Sequence, residues 1–163
     1  MGIMYNTVKN NIKKSLVDHG MKADDHCIDL LVMIAAHESG LFKYARQNAV
    51  ITSETGLAMG MFQMERETAL DVCKYITSKH SKFNTYVVFK ANQMLDGTIT
   101  HLDLIFNFQL SVILARAFLM RIPDPIPEDD ALMADYAKKY WNTSLGKATK
   151  KDYLDAFIYI KKC

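Results

Sequence analysis

The sequence CIDLLVMIAAHES, residues 27–39, is apolar on nearly every face when it is placed on a helix. Asp24 and Asp25 precede it as candidates for the N-cap, and Gly40 follows it as a stop signal. A helix that is apolar all round is buried in the centre of a protein. The stretch therefore predicts a central, buried helix, around which the rest of the chain packs.

Apolar residues at helical spacing predict further helices on both sides of this stretch. They cover residues 5–20, 68–76, 101–121 and 127–141. A last helix begins at Thr149, where a capping-box pattern occurs, and we expect its inward residues to be Leu154, Phe157 and Ile158. Residues 86–89 fit either a short strand or the interior of a helix.

The composition agrees with a helical domain. The chain has 163 residues, about the length of one ordinary domain, and only seven glycines and three prolines. So few turn-forming residues argue against an all-β fold and favour long helices with short links. We therefore expect one all-α domain over residues 1–163, with room for a short β-hairpin in its irregular loop.

Charge and cysteine content exclude several classes of protein. The formal charge of +2 indicates no nucleic-acid partner, and no apolar run is long enough for a membrane-spanning helix. Cys27, Cys73 and Cys163 lack metal-ligand spacing, so we expect no metal site, and the first two are expected to be reduced core residues. We expect a monomer without cofactors, and no signal peptide is recognisable at the N-terminus.

Helical periodicity disappears between residues 41 and 62. Gly40, Gly56 and Gly60 all lie in or beside this segment, which indicates a structured loop region. Within it, residues 56–63 read GLAMGMFQ, where two glycines permit a close backbone approach or a turn with positive φ. Gln63 could present a neutral amide that suits the hydroxyl and acetamido groups of sugars, although an ordinary turn before a helix explains the pattern equally well.

Glu38 is the strongest candidate for a catalytic residue. It lies at the C-terminal end of the predicted buried helix, among apolar neighbours. Apolar burial and the negative end of the helix dipole both favour the neutral acid. A carboxylic acid that stays neutral near pH 7 can act as a general acid. The alternative is a frayed helix end from which Glu38 points into water.

These two features together resemble the superfamily of goose-type lysozymes and soluble lytic transglycosylases. Its hallmark is a Glu-Ser pair at a helix end, here Glu38 and Ser39, followed by a Gly-Leu-Met-Gln-like loop, here residues 60–63, and then a Thr, here Thr68. Residues 114–119 and 136–147 are similar to small phage-encoded members. The resemblance covers about residues 25–160.

The resemblance implies a lysozyme-like fold and cleavage of the β-1,4 bond between N-acetylmuramic acid and N-acetylglucosamine in peptidoglycan. Glu38 would donate a proton to the bridging oxygen and then act as a base, giving a 1,6-anhydro sugar with help from the substrate's acetamido group. Ser39 would orient Glu38 or that acetamido group. The sugar cleft would be lined by Gln63 together with the backbone of Gly60, Met61 and Phe62.

The chain departs from the superfamily in one respect. The usual Ala-Tyr-Asn-Ala-Gly stretch, whose Tyr hydrogen-bonds near the acid, is absent. Tyr136 or Tyr140 could replace it, and we expect Tyr136 to do so. Helix packing is the alternative role for both.

Two other functions stay open at this point. Glu54 lies 16 residues after Glu38 in the loop region, and if it or a water that it holds faced the cleft, the protein would be a hydrolytic muramidase. A helical module that binds glycan or protein without catalysis is the other. For an enzyme, the resemblance implies phage lysis or wall penetration: the protein would wait in the host cytoplasm until its release to the cell wall, or travel with the virion.

Overall fold

A computed structural model describes residues 2–43, 58–142 and 147–163. The described residues form seven α-helices and no β-strand, which confirms the all-α prediction for them. Short 3₁₀ helices cover His80–Lys82 and His101–Ile105, and a π-helical turn covers Lys138–Asn142. The α-helices are α1 (Ile3–Asp18), α2 (Asp25–Glu38), α3 (Arg66–Ser78), α4 (Thr85–Leu95), α5 (Phe108–Leu119), α6 (Asp130–Ala137) and α7 (Lys150–Lys162).

Helix α2 is the central, buried helix that its sequence predicts. Every residue from 30 to 36 is inaccessible to solvent, and α1, α5, α6 and α7 pack around it. Each buried Leu or Ile side chain contributes roughly 1.5–3 kcal/mol through removal of its surface from water. This helix anchors its last residue, Glu38, within the packed interior rather than on a mobile segment.

In the middle of the chain, one prediction needs correction and one open alternative is decided. Residues 101–121 do not form one helix, because the side chain of Asn107 accepts a hydrogen bond from the Leu110 amide and starts α5 there. Residues 86–89 lie inside α4, which confirms the helical alternative and not the strand, and α4 begins after Asn84 in the same way. In both cases an Asn side chain satisfies a free amide at the helix start, and an apolar pattern does not reveal it.

The C-terminal helices differ from the prediction in length and orientation. Helix α6 ends at Ala137 and continues as the π-helical turn. The capping box of Thr149 and Asp152 is confirmed at the start of α7, but the buried face of this helix carries Tyr153, Phe157 and Ile160. Leu154 and Ile158 were expected to point inward, and they lie at the edge of this face and in solvent.

The region of the predicted β-hairpin is described only from residue 58. Met59 and Met64 exchange both backbone hydrogen bonds in an isolated bridge, and no longer strand follows among the described residues. As expected, Cys27 and Cys73 are free thiols in the core. Over the described part of the chain, no helix combines the length and apolarity needed to cross a membrane.

Candidate active site

Glu38 is the last residue of α2 and is half-buried. The frayed alternative is therefore wrong, because the carboxyl group packs against α7. Burial raises the pKa of this carboxyl above its ordinary value, since the charged form loses hydration. This is the direction that a general acid requires, because more of the carboxyl stays protonated near neutral pH.

The partner of Glu38 is Tyr153. This fully buried side chain reaches across from the first turn of α7, and its hydroxyl donates a hydrogen bond to Oε1 of Glu38. The bond favours the carboxylate and offsets part of the effect of burial on the pKa of Glu38. Among the described residues, none bonds to the second oxygen, Oε2. Glu38 is thus held in place through one of its two carboxyl oxygens.

His37 completes the packing around the tyrosine. Its ring lies 4.1 Å from the ring of Tyr153, centroid to centroid. Burial lowers the pKa of His37, so the imidazole is neutral at pH 7. A neutral ring in this place stabilises the orientation of Tyr153 without adding a charge beside Glu38.

The chain leaves α2 through a strained turn. The hydroxyl of Ser39 donates to the Ala35 carbonyl at 2.6 Å and accepts from the Phe42 amide at 2.8 Å. Gly40, Leu41 and Phe42 then follow with φ of 57°, 61° and 65°. Left-handed backbone costs roughly 1–3 kcal/mol at a residue other than Gly, and such strain persists where the surroundings enforce it. Ser39 therefore fixes the end of the helix, and its hydroxyl is already used by the backbone.

The predicted loop at residues 60–63 is a tight turn. Gly60 has a φ of 72°, and Gln63 adopts a φ of 47° while its amide nitrogen donates to the Gly60 carbonyl at 2.7 Å. Phe62 is a core residue that packs near Trp141, so its side chain cannot line a cleft. Of the four predicted cleft residues, Met61 faces a cavity.

A cavity of about 200 Å³ joins the two segments. Ser39, which directly follows Glu38, and Met61 both line it. Its remaining lining comes from the turn after α2 and from the region around the start of α5, namely Phe42, Lys43, Leu104, Ile105, Phe106, Phe108 and Ser111. Residues from the turn after α2 and from the turn at residues 60–63 thus line one concave surface, and Glu38 itself is not among its described lining residues.

Comparisons with models of protein families, with curated proteins and with solved structures find no match to the chain. The function is therefore inferred from the residues and their geometry.

Tyr136 and Tyr140 lie elsewhere than expected. Both hydroxyl groups bond to Asp124 in the proline-rich loop, Tyr136 to its backbone carbonyl and Tyr140 to its carboxylate. The expectation that Tyr136 assists Glu38 is corrected, since Tyr153 takes that place. The capping box at Thr149 puts residues 153, 157 and 160 on one face of α7, but it does not reveal which residue Tyr153 contacts.

The candidates in the loop after α2 are only partly placed. Glu54 and Gly56 lie outside the described residues. Within the described ranges, no cluster of three or more His, Cys, Asp or Glu side chains is placed to hold a metal ion. The described residues bring together one half-buried acid and its tyrosine, and the residue after the acid, Ser39, lines a cavity.

Replacing Tyr153 with Phe is expected to raise the pKa of Glu38 further. The tyrosine hydroxyl stabilises the carboxylate, so its removal leaves burial unopposed. We expect a loss of about 1–2 kcal/mol in the free energy of unfolding as well, for one buried hydrogen bond.

A pH titration of the Glu38 carboxyl carbon by NMR measures the shift in the pKa of Glu38. Tyr136→Phe is the matched control, since it also removes a tyrosine hydroxyl bond but away from Glu38. An unchanged Glu38 titration in Tyr153→Phe would contradict this role.

Proposed function

We propose that the protein cleaves the β-1,4 bond between N-acetylmuramic acid and N-acetylglucosamine in peptidoglycan, as a lytic transglycosylase. The observation that carries the proposal is the state of Glu38, a half-buried acid with a raised pKa that is oriented through one oxygen by Tyr153. The cavity lined by Ser39, the residue after Glu38, and by Met61 offers a place for a sugar substituent near the end of α2.

The chemistry needs one carboxyl group. Protonated Glu38 gives its proton to the bridging oxygen while the bond from that oxygen to C1 of the muramic acid residue breaks. The carbonyl oxygen of the substrate's acetamido group stabilises the positive charge at C1. The Glu38 carboxylate then takes the proton of the C6 hydroxyl as O6 bonds to C1. The product is a 1,6-anhydro sugar, and Glu38 is protonated again.

Tyr153 has a defined part in this cycle. Glu38 must be neutral in the first step and charged in the second, so its pKa has to permit both forms near the working pH. Burial favours the neutral acid, and the hydrogen bond from Tyr153 favours the carboxylate. The two opposing effects suit a group that acts first as an acid and then as a base.

A lysozyme-like arrangement is part of the same proposal. Its support is the order of elements: a buried helix that ends in the acid, then, after the segment outside the described residues, the turn at residues 59–64, and then helices that pack around α2. Peptidoglycan as the substrate places the protein at a bacterial cell wall. We propose a role in phage lysis or wall penetration, in which the protein is held in the host cytoplasm until release or is carried by the virion.

Mass spectrometry of the soluble fragments released from purified peptidoglycan tests the proposal. We expect muropeptides with anhydromuramic ends, which are about 18 Da lighter than the corresponding reducing ends because no water is added. Fragments with only reducing ends would make the protein a hydrolytic muramidase, with Glu54 or a held water as the second group. Binding without release would indicate the non-catalytic module.

A further inference from the structure

Most of the residues that line the cavity beside Ser39 carry apolar side chains. Phe42, Met61 and Phe108 are among them, and the two hydroxyl groups in the lining are already bonded. The Ser39 hydroxyl bonds to backbone groups of its own turn, and that of Ser111 donates to the Leu104 carbonyl at 3.0 Å. The apolar side chains therefore offer contact to a methyl or other alkyl group of a ligand.

Lys43 gives this apolar cavity a charge. It is exposed, and no other charged residue lines the cavity in the described part of the chain. It also forms no ion pair with a described residue, whereas seven other described lysines pair with Asp side chains. A lysine of this kind beside a cavity is available to a carboxylate or another anion.

Phe106 adds an aromatic group to the same rim. It is 89% exposed, which is the largest exposure among the large apolar side chains of the described residues. An exposed aromatic group beside a cavity is typical of a ligand site, because its face can cover the apolar C–H groups of a sugar or acyl chain. Alkyl-binding walls, an aromatic rim and one cation thus meet within a volume of about 200 Å³.

We propose that this cavity binds the carboxylate-bearing substituent of a muramic acid residue, with its alkyl part against the apolar walls and its carboxylate at Lys43. The proposal rests on the proposed function and adds a determinant of specificity to it. The volume lies below the roughly 300–1,000 Å³ of sites for drug-sized ligands, so it fits one substituent and not a chain of sugars. N-acetylglucosamine carries no carboxylate, so Lys43 distinguishes the two sugars.

The carboxylate can come from two sources. One is the lactyl group of muramic acid itself, which is free in strands without peptide. The other is the peptide that is attached to this lactyl group in intact peptidoglycan. Both present an anion on a short alkyl stem, and the substrates of the experiment separate them.

Binding is measured by calorimetry in Glu38→Gln, the full-length chain in which no strand is cut. Its Kd is compared with that of the double variant, Glu38→Gln with Lys43→Gln, on three soluble ligands. These are peptide-bearing strands, peptide-free strands with free lactyl carboxylates, and the same peptide-free strands with the carboxyl groups converted to amides. Lys13→Gln is the matched control, because Lys13 is exposed on α1 and does not line the cavity.

Lys43→Gln is expected to weaken binding of strands that carry the recognised carboxylate by about fivefold, as for one exposed ion pair. Lys43→Arg is expected to bind with the same Kd as the chain that keeps Lys43. High salt is expected to remove the difference in Kd between the chains with and without Lys43→Gln. On the amidated strands, the chains with and without Lys43→Gln should bind equally. An effect on peptide-free strands identifies the lactyl group, and an effect on peptide-bearing strands alone identifies the peptide.

Equal affinities with and without Lys43→Gln on all three ligands would overturn the proposal, as would a loss of equal size on the amidated strands. The result is independent of cleavage. If the wild-type protein cuts no strand but the charge-dependent binding is found, the proposed catalytic function fails and the carboxylate site remains. If cutting is found without that dependence, the proposed function remains and Lys43 has no part in recognition.

Discussion

Replacing Glu38 with Gln is expected to lower kcat on purified peptidoglycan by about 10³-fold while the protein stays folded. The amide has the size of the carboxyl group and keeps an oxygen that accepts the hydrogen bond from Tyr153. It has no proton to deliver to the bridging oxygen and cannot take one from the C6 hydroxyl. The rate of clearing of a peptidoglycan suspension measures the loss, and the circular dichroism spectrum checks the fold.

The same substitution is expected to stabilise the protein at neutral pH. Burial raises the folded-state pKa of Glu38, so the stability linked to its neutral form is fully present below the ordinary pKa. That stability is lost as the pH rises through the folded-state pKa, because the buried carboxyl must then ionise. The amide in Glu38→Gln cannot ionise, so the variant keeps the stability of the neutral side chain at high pH. The melting temperatures of variant and wild type should therefore agree at about pH 3 and diverge by about pH 8.

Glu128→Gln is the control for both measurements. Glu128 is exposed in the loop before α6, and its substitution should change neither the rate nor the melting temperature at either pH. Wild-type clearing by Glu38→Gln would refute the role of Glu38 as the acid. A variant that loses activity together with its helical spectrum would be uninformative about catalysis, and in that case Glu38→Asp, which keeps the acid but shortens its reach, replaces it.

The helical fold can be predicted from the sequence because buried helix faces place apolar residues at a regular spacing. Helix α2 is apolar on every face, and its position at the centre follows from that alone. The positions at which helices begin and end are harder to predict. Asn107 interrupts an apolar stretch and starts α5 through one side-chain hydrogen bond, and such a local bond competes with the helix without altering the apolar pattern.

The candidate site is likewise predictable from the sequence only in part. Glu38 is identifiable because a lone acid at the end of a buried helix contradicts the apolar pattern around it. Tyr153 is not identifiable from the sequence, because a tyrosine on the last helix is common. Its contact with Glu38 also joins residues that are far apart in the chain. The expectation for Tyr136 fails for the same reason, since the competing acceptor, Asp124, lies in a loop that has no periodicity.

Replacing Gly60 with Ala is expected to lower the free energy of unfolding by about 2–4 kcal/mol, or the melting temperature by about 5–15 °C. Two separate costs add up. Gly60 has a φ of 72°, which an Ala adopts only with strain. A Cβ atom built there would also lie 2.7 Å from the Leu104 carbonyl oxygen and 2.9 Å from the Ser111 hydroxyl. The first of these is backbone and cannot rotate away.

Gly97→Ala separates the two costs. Gly97 has a φ of 81° as well, but a Cβ atom there would meet nothing within 4 Å, so we expect only the strain of about 1 kcal/mol. Equal losses in the two variants would show that the close approach of Gly60 to Leu104 is absent. We also expect Gly60→Ala to distort the cavity, because Leu104, Ser111 and Met61 all line it. The added methyl group pushes the turn that carries Met61 away from Leu104, so affinity for glycan strands should fall in Gly60→Ala and stay unchanged in Gly97→Ala.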